Sequence, residues 1–341
     1  MTIPHYARPR NGLTRTAALE KAHDIAFYPM MFQAVRAMLA GGLLERLPLP
    51  PQADYATKLL LEVAEALEIA EVRDGLYHPT ALAAELLGNE AVRVNMAFMN
   101  DVCYQGASSL AESLASGKPA GLKALGGWAT IYEGLGELPE PARSSWFAFD
   151  NFYSDLVFPE AAAIVLKAGP ALVYDIGGNT AKFDRELLRQ SPDVRSVIFD
   201  LPQQIALARQ TMAGQPRVAF RPCDILKDEL PHGADAVWLS QFLDCFAPAD
   251  IIGILRKARA ALNAGGRVFI LEPFVDGQVP AARRALLGIS LYFSCMANGV
   301  SRMYRQADMR EFAAAAGLVV AEAHEGLGQF DYTLLECAVG R

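Results

Sequence analysis

The chain has 341 residues, 52% of them hydrophobic and 20% charged, which excludes a disordered chain or a coiled coil and leaves room for two domains of ordinary size. The balance of 31 basic against 38 acidic residues gives a net charge of −7, and no basic face of the kind a duplex binder uses to displace counterions is implied. No stretch is apolar for long enough to span a bilayer, and the polar first twenty residues carry Arg8, Arg10 and Arg15 with no apolar signal core after them, so the expected compartment is the cytoplasm and no membrane partner is expected.

The first half reads as mostly helical. Apolar residues at helical spacing, Phe27, Met30, Met31, Ala34, Val35 and Met38, predict a helix over 17–40, interrupted by Gly41-Gly42. A short helix over 43–47 ends in a proline-rich stretch. Helices follow over 58–69 and 80–87, with a hairpin over 70–77 turning at Asp74-Gly75. Two helices and a hairpin outline a winged helix, which raises the question of DNA. Residues 51–95 hold three basic side chains against eight acidic ones, so phosphate would be repelled. Packing or dimerisation is the better reading of this segment. Helical patterns continue over 95–115 and 139–168. The aromatic run at 146–158 offers a core or dimer face, and also Phe149 and Tyr153 as a wall for an aromatic ligand.

After Gly169-Pro170 the rhythm changes, and the domain boundary is placed there, giving 1–168 and 169–341. Short apolar runs at 171–176, 196–201, 218–222, 234–239, 267–271, 318–323 and 332–339 alternate with helix patterns. Such alternation, with strands apolar throughout, predicts an α/β fold with a parallel sheet covered on both faces. Five cysteines, at 103, 223, 245, 295 and 337, are widely spaced and form no C-x-x-C. Reduced thiols are expected rather than disulfides or a zinc site.

The run Val173-Tyr-Asp175-Ile-Gly177-Gly-Asn179-Thr-Ala181-Lys182 places an acid at a strand end, then a glycine turn, then a helix. Glycine lets backbone approach a ligand where a side chain would collide. Asp200 ends the next strand, placed to accept from two ribose hydroxyls, and Asp224 ends the third, where an acid can meet an adenine amino group. The glycine spacing of the dinucleotide fingerprint is absent. Three strand-end acids suit a ligand with an ammonium, a ribose and an adenine, which is S-adenosylmethionine (SAM).

DIGGNT (175–180), FDLP (199–202), CDIL (223–226), LSQFLDCF (239–246) and ALNAGGRVFILEP (261–273) together resemble the plant-type O-methyltransferases of the caffeate and hydroxyindole kind and their bacterial relatives. The resemblance implies a Rossmann-like class I sheet behind an N-terminal, mostly helical, winged-helix-like dimerisation domain, and an intertwined homodimer. It implies methylation of a small aromatic or polyketide-like metabolite, with S-adenosylhomocysteine (SAH) as product and no metal. It places Gly177 under the methionine part of the cofactor, Asp200 on the ribose and Leu201 on the adenine. Asp224 and Ile225 flank the adenine edge, with Ser240 and Gln241 nearby. Tyr292, Phe293 and Met296 fall on a helix that lines the acceptor pocket in the family. Asn179 and Ala181 replace common glycines.

The family often carries a histidine base where this chain has Asp244. An exposed aspartate is a weak base at pH 7, but burial beside a second carboxylate raises its pKa. Glu272 ends the strand expected to adjoin that of Asp244, so an Asp244–Glu272 acidic pair is predicted. His5, His23, His78 and His232 are not placed to replace the missing base. His324 reads as a surface residue near a cleft, and no metal cluster is legible. Methyl transfer to oxygen, to carbon or nitrogen by alignment alone, and cofactor binding without catalysis are the readings left open.

Overall fold

The structure is a computed structural model and describes residues 14–52 and 54–340; the polar N-terminal segment with Arg8 and Arg10, and His5, lies outside the described residues. Packing divides the chain between Met96 and Ala97 into two compact units.

In the first unit, helix α1 (Arg15–Ala40) begins where the Thr14 side chain accepts from the Ala17 N–H, satisfying one of the unpaired donors of the first turn. Asp54 caps α2 (Tyr55–Ala66) in the same way through Thr57. Strands β1 (Ala70–Arg73) and β2 (Leu76–Pro79) form the expected antiparallel hairpin about Asp74-Gly75, both at positive φ. Helix α3 (Ala81–Gly88) follows, and α4 (Glu90–Phe98) runs across the division. Met38, Leu43, Leu61, Ala64, Ile69, Tyr77 and Ala83 form the unit's core.

The second unit opens with helical chain that breaks the simple periodicity of 95–115. Residues Met99–Cys103 wind as a π-helix before α5 (Leu110–Ser116). Then come α6 (Ile131–Gly134), α7 (Ala142–Ser154) and α8 (Phe158–Lys167). The sheet portion alternates β3 (Leu172–Ile176), α9 (Lys182–Gln190), β4 (Arg195–Asp200), α10 (Pro202–Thr211), β5 (Val218–Pro222), β6 (Ala234–Ser240), α11 (Pro248–Ala261) and β7 (Leu262–Glu272). It closes with α12 (Pro280–Tyr292), α13 (Gln306–Ala315), β8 (Leu318–Leu327) and β9 (Tyr332–Val339).

The seven-stranded sheet has the order β5-β4-β3-β6-β7-β9-β8. The five strands from β5 to β7 are parallel, as expected. One strand corrects the all-parallel expectation: β9 is antiparallel to both of its neighbours, β7 and β8. The reason is connection length. Only residues 328–331 join β8 to β9, and a parallel crossover needs a dozen or more residues. Strand order reverses between β4–β3 and β6, which opens a crevice beyond the strand ends at β3 and β6.

Side-chain alternation splits the core. Tyr174, Val237, Leu239, Val268 and Ile270 pack on α11 and α13. Val173, Ile198, Ala236, Trp238 and Phe269 pack on α8, α9 and α10. Phe183 stacks on Trp238 with ring centroids 3.9 Å apart. A third cluster joins Phe98, Val102, Leu122, Ile131 and Ala142 to Tyr292, Phe293 and Met296 at the end of α12. This cluster is why packing divides the chain near residue 96 rather than at the expected boundary near 168. The helical segment 97–168 buries its apolar side chains with the sheet-bearing part of the chain.

Candidate active site

The site forms at the crevice. After β3, the chain turns through Gly177 (φ +76°), Gly178, Asn179 (φ +47°) and Ala181 (φ +62°) into α9. A Cβ at Gly177 would run into the Phe242 ring, and one at Gly178 would lie 2.6 Å from Asp175 Oδ2. Both glycines are therefore required by space. Asn tolerates the left-handed region well; alanine at 181 adopts it at a cost of roughly 1 kcal/mol relative to glycine.

A cleft is lined by Asp175, Gly177, Gly178, Asn179, Thr180 and Lys182, by Trp238, Ser240 and Gln241 of the β6 end, and by Asp150 and Asn151 of α7. Four of the predicted cofactor residues, Asp175, Gly177, Ser240 and Gln241, thus share one cleft. Asp200 adjoins it, because its Oδ2 accepts from the Asn179 N–H at 2.8 Å and its Oδ1 from the Leu201 N–H at 2.7 Å. Burial pushes the Asp200 carboxyl up, against those two hydrogen bonds. Leu201 is exposed beside it. Asp224 lies two residues beyond β5, at the same end of the sheet, and its carboxylate is engaged by Lys227 Nζ at 2.6 Å and by the Leu226 N–H. Ile225 is buried next to it. These four residues do not line the cleft itself.

Three α7 and α9 side chains had not been anticipated. Asn179 Nδ2 donates to Asp150 Oδ2 at 3.3 Å, and Lys182 Nζ to Asn151 Oδ1 at 2.8 Å, so α7 is tied to the glycine turn. Two adjacent polar residues inside an aromatic run were the available signal.

The predicted acidic pair exists. β6 and β7 are adjacent, with Ser240 opposite Leu271. Asp244 lies in the turn after β6 and Glu272 ends β7; both are buried. Glu272 Oε1 accepts from the Phe242 and Leu243 N–H groups at 3.2 and 3.1 Å. Burial first, and Asp150 as a further negative neighbour, push Asp244 up to about 7, against a hydrogen bond from the Cys245 thiol. Burial and then Asp244 push Glu272 well above the usual carboxylate range. The Tyr132 hydroxyl lies beside Cys245. Pro273, Phe274, Tyr304 and Met309 close over the other side of the pair.

Of the predicted acceptor residues, Phe149 stacks on Phe98 and touches Tyr153, and Phe98 meets Tyr292 edge-on. Tyr292 accepts from Trp146 Nε1 at 2.8 Å. Phe293 and Met296 are buried, and the Met296 sulfur lies against Gly106 and Gly121. The structure therefore puts these two in the helical core. Tyr332 donates to the Tyr153 carbonyl and to Gln241 Oε1, linking β9, α7 and the β6 turn.

The cleft suits SAM on its own polar atoms. Thr180 Oγ1, Ser240 Oγ, Gln241 Nε2 and Asp175 Oδ2 are buried with no hydrogen-bond partner among the described residues, which offers donors for a carboxylate and an acceptor for an ammonium. Elsewhere, Glu322, His324 and Glu336 hold ligand-type atoms within 4.8 Å of one another. His324 sits within β8, half-buried and 3.7 Å from Glu322, rather than on the open surface. Arg267 holds Glu336 at 3.1 Å, a cation where a metal would bind.

Residues 159–319 match the family model of the O-methyltransferase domain. The L-tyrosine C(3)-methyltransferase of Streptomyces lavendulae is 29% identical over 276 residues, which is 78% of this chain and 74% of that protein. The 3-hydroxy-5-methyl-1-naphthoate 3-O-methyltransferase of Streptomyces sahachiroi is 31% identical over 233 residues, 66% of each chain. The apo crystal structure of the S-adenosylmethionine-dependent methyltransferase SibL superposes with a TM-score of 0.74 at 26% identity, covering 95% of this chain and all of that one.

Proposed function

From the premise that the chain belongs to the O-methyltransferase family and is a SAM-dependent methyltransferase of Rossmann-like class I fold, we propose that it methylates a phenolic oxygen of a small aromatic or polyketide-like secondary metabolite, with Asp244 as base. The observation that carries this reading is the buried Asp244, held near 7 beside Glu272. A base with that pKa is matched to proton transfer at neutral pH.

SAM, when bound, supplies a methyl group on a good, neutral leaving group. The work left to the protein is alignment and proton removal. Asp175, Thr180, Ser240 and Gln241 would hold the methionine end, and Asp200 the ribose. Leu201, Asp224 and Ile225 would frame the adenine. Phe149, Tyr153 and Tyr292 would stack on the acceptor ring, with Phe293 and Met296 backing them. Asp244 takes the phenolic proton, its basicity raised by burial and by Asp150, and Glu272, fixed by two backbone N–H groups, sits beside it. No metal enters this chemistry, and turnover should be insensitive to chelator.

The test is turnover on a panel of phenols. Asp244→Asn should lower kcat by about 10²–10⁴-fold while leaving the SAH dissociation constant unchanged. Unchanged turnover would refute the base role. A second reading, methylation at a ring carbon, is favoured by the likeness to the tyrosine C(3)-methyltransferase. The position of the methyl in the product, read by NMR, separates the two.

A cytoplasmic homodimer completes the proposal. Among the described residues, no helix is long and apolar enough to cross a membrane. Helix α1 presents Ile25, Phe27, Tyr28 and Met30 exposed, apolar area that a second copy would cover.

A further inference from the structure

Behind the cofactor cleft lies a second pair of carboxyls that the reaction does not require. Asp175, at the end of β3, is 2% exposed, and Asp184, in the first turn of α9, is 0% exposed. The two side chains are within hydrogen-bonding reach of each other. Each nonetheless keeps one buried oxygen, Asp175 Oδ2 and Asp184 Oδ2, with no donor among the described residues. Ser196 of β4 donates to the other oxygen of Asp184. Two ionised carboxylates facing each other in this way would be acceptors without a donor, each charge buried and unpaired. One proton between them turns the same contact into a short hydrogen bond.

The charged groups around the pair do not supply that compensation. Asp200, at the end of β4, is a further negative neighbour of Asp175. Across the cleft are Asp150 on α7, and Lys182, whose ammonium is directed to Asn151. Burial and the neighbouring acid push Asp175 well above the ordinary carboxylate range, and burial raises Asp184.

We propose that Asp175 and Asp184 hold a single proton between them in the free enzyme and release it to solvent when the ammonium group of the cofactor enters the cleft. Asp184 never reaches the cleft and acts through Asp175; it is a positioning residue that sets the charge of the cofactor's carboxylate partner. The inference rests on the cofactor-site reading above. Its sign follows from linkage. The free pair is protonated and the occupied pair is not, so affinity rises with pH, at most about tenfold per pH unit for one proton. It levels off once the free pair has lost its proton.

The experiment is calorimetric titration with SAH and with SAM at one pH in two buffers of different ionisation enthalpy. The dependence of observed heat on buffer counts the protons released. We expect a release approaching one in the wild type and none in Asp184→Asn, whose affinity should no longer vary with pH. Release that persists undiminished in a folded Asp184→Asn, as it would if Asp244 were the source, overturns the proposal; so does a wild type that releases no proton. An infrared difference spectrum of the wild type gives a second readout free of any variant. A protonated-carboxyl band should be lost on SAH binding, and its persistence refutes the pair even if the variant does not fold. No binding heat with either ligand, and no shift in Tm, would instead overturn the cofactor site, and this proposal with it.

Discussion

Two residues show how local chemistry constrains this site. Gly177 has φ +76° and no room for a Cβ because of the Phe242 ring. Gly177→Ala should therefore displace the turn and weaken SAH binding at least tenfold, read by calorimetry, even where the fold survives. Asp244 shows the opposite case, a residue whose buried carboxyl costs stability once it ionises. Its folded-state pKa is raised from 3.8 to about 7. The folded chain therefore binds more protons than the unfolded chain between those values, and the stability associated with this group is lost as pH rises through that window. Asp244→Asn removes the titration. The variant should melt higher than wild type at pH 8, by about 5–10 °C if the full shift is felt, with the gain vanishing near pH 4. A gain independent of pH would mean that Asp244 titrates normally.

At the scale of elements, the connections between helices and strand ends matter most. The Tyr332 hydroxyl at the start of β9 bonds α7 at the Tyr153 carbonyl and the β6 turn at Gln241, whose backbone has positive φ. Tyr332→Phe deletes both bonds inside a buried environment. It should cost about 1–3 kcal/mol, measured by denaturant unfolding, and raise the KM for SAM as Gln241 is released. Helix α7 is the other such element. Its apolar residues were legible as a helix from spacing alone. Its role in holding Asp150 and Asn151 against the glycine turn was not, because that contact joins residues about thirty positions apart.

At the scale of the molecule, the expected assembly is a homodimer. Ile25, Phe27, Tyr28 and Met30 are 55–70% exposed on one long helix, although the periodicity of α1 would otherwise place such residues in a core. The double change Phe27→Asp and Met30→Asp should convert the dimer to monomer in sedimentation. Little effect on the fold of the single chain is expected, since neither side chain belongs to the described core. A wild-type chain that sediments as a monomer would refute the dimer.

Much of this architecture was legible in the residues themselves. The period-3.6 runs mark α1, α2 and α9–α11. Apolar runs bounded by Gly, Pro and Asp mark the sheet strands, and strand-end acids followed by glycine mark the edge proposed for the cofactor. All are local signals, because each depends on residues within one element or one turn. Even the pairing of Asp244 with Glu272 was accessible, since adjacent parallel strands bring their ends together. The tertiary structure alone decided the rest. It placed 97–168 with the sheet, reversed β9 against β7, moved Phe293 and Met296 into a core, and brought Asp184 to Asp175. These outcomes depend on which distant apolar faces exclude water together, and on how deeply a carboxyl is buried once they do. No spacing along the chain carries that information.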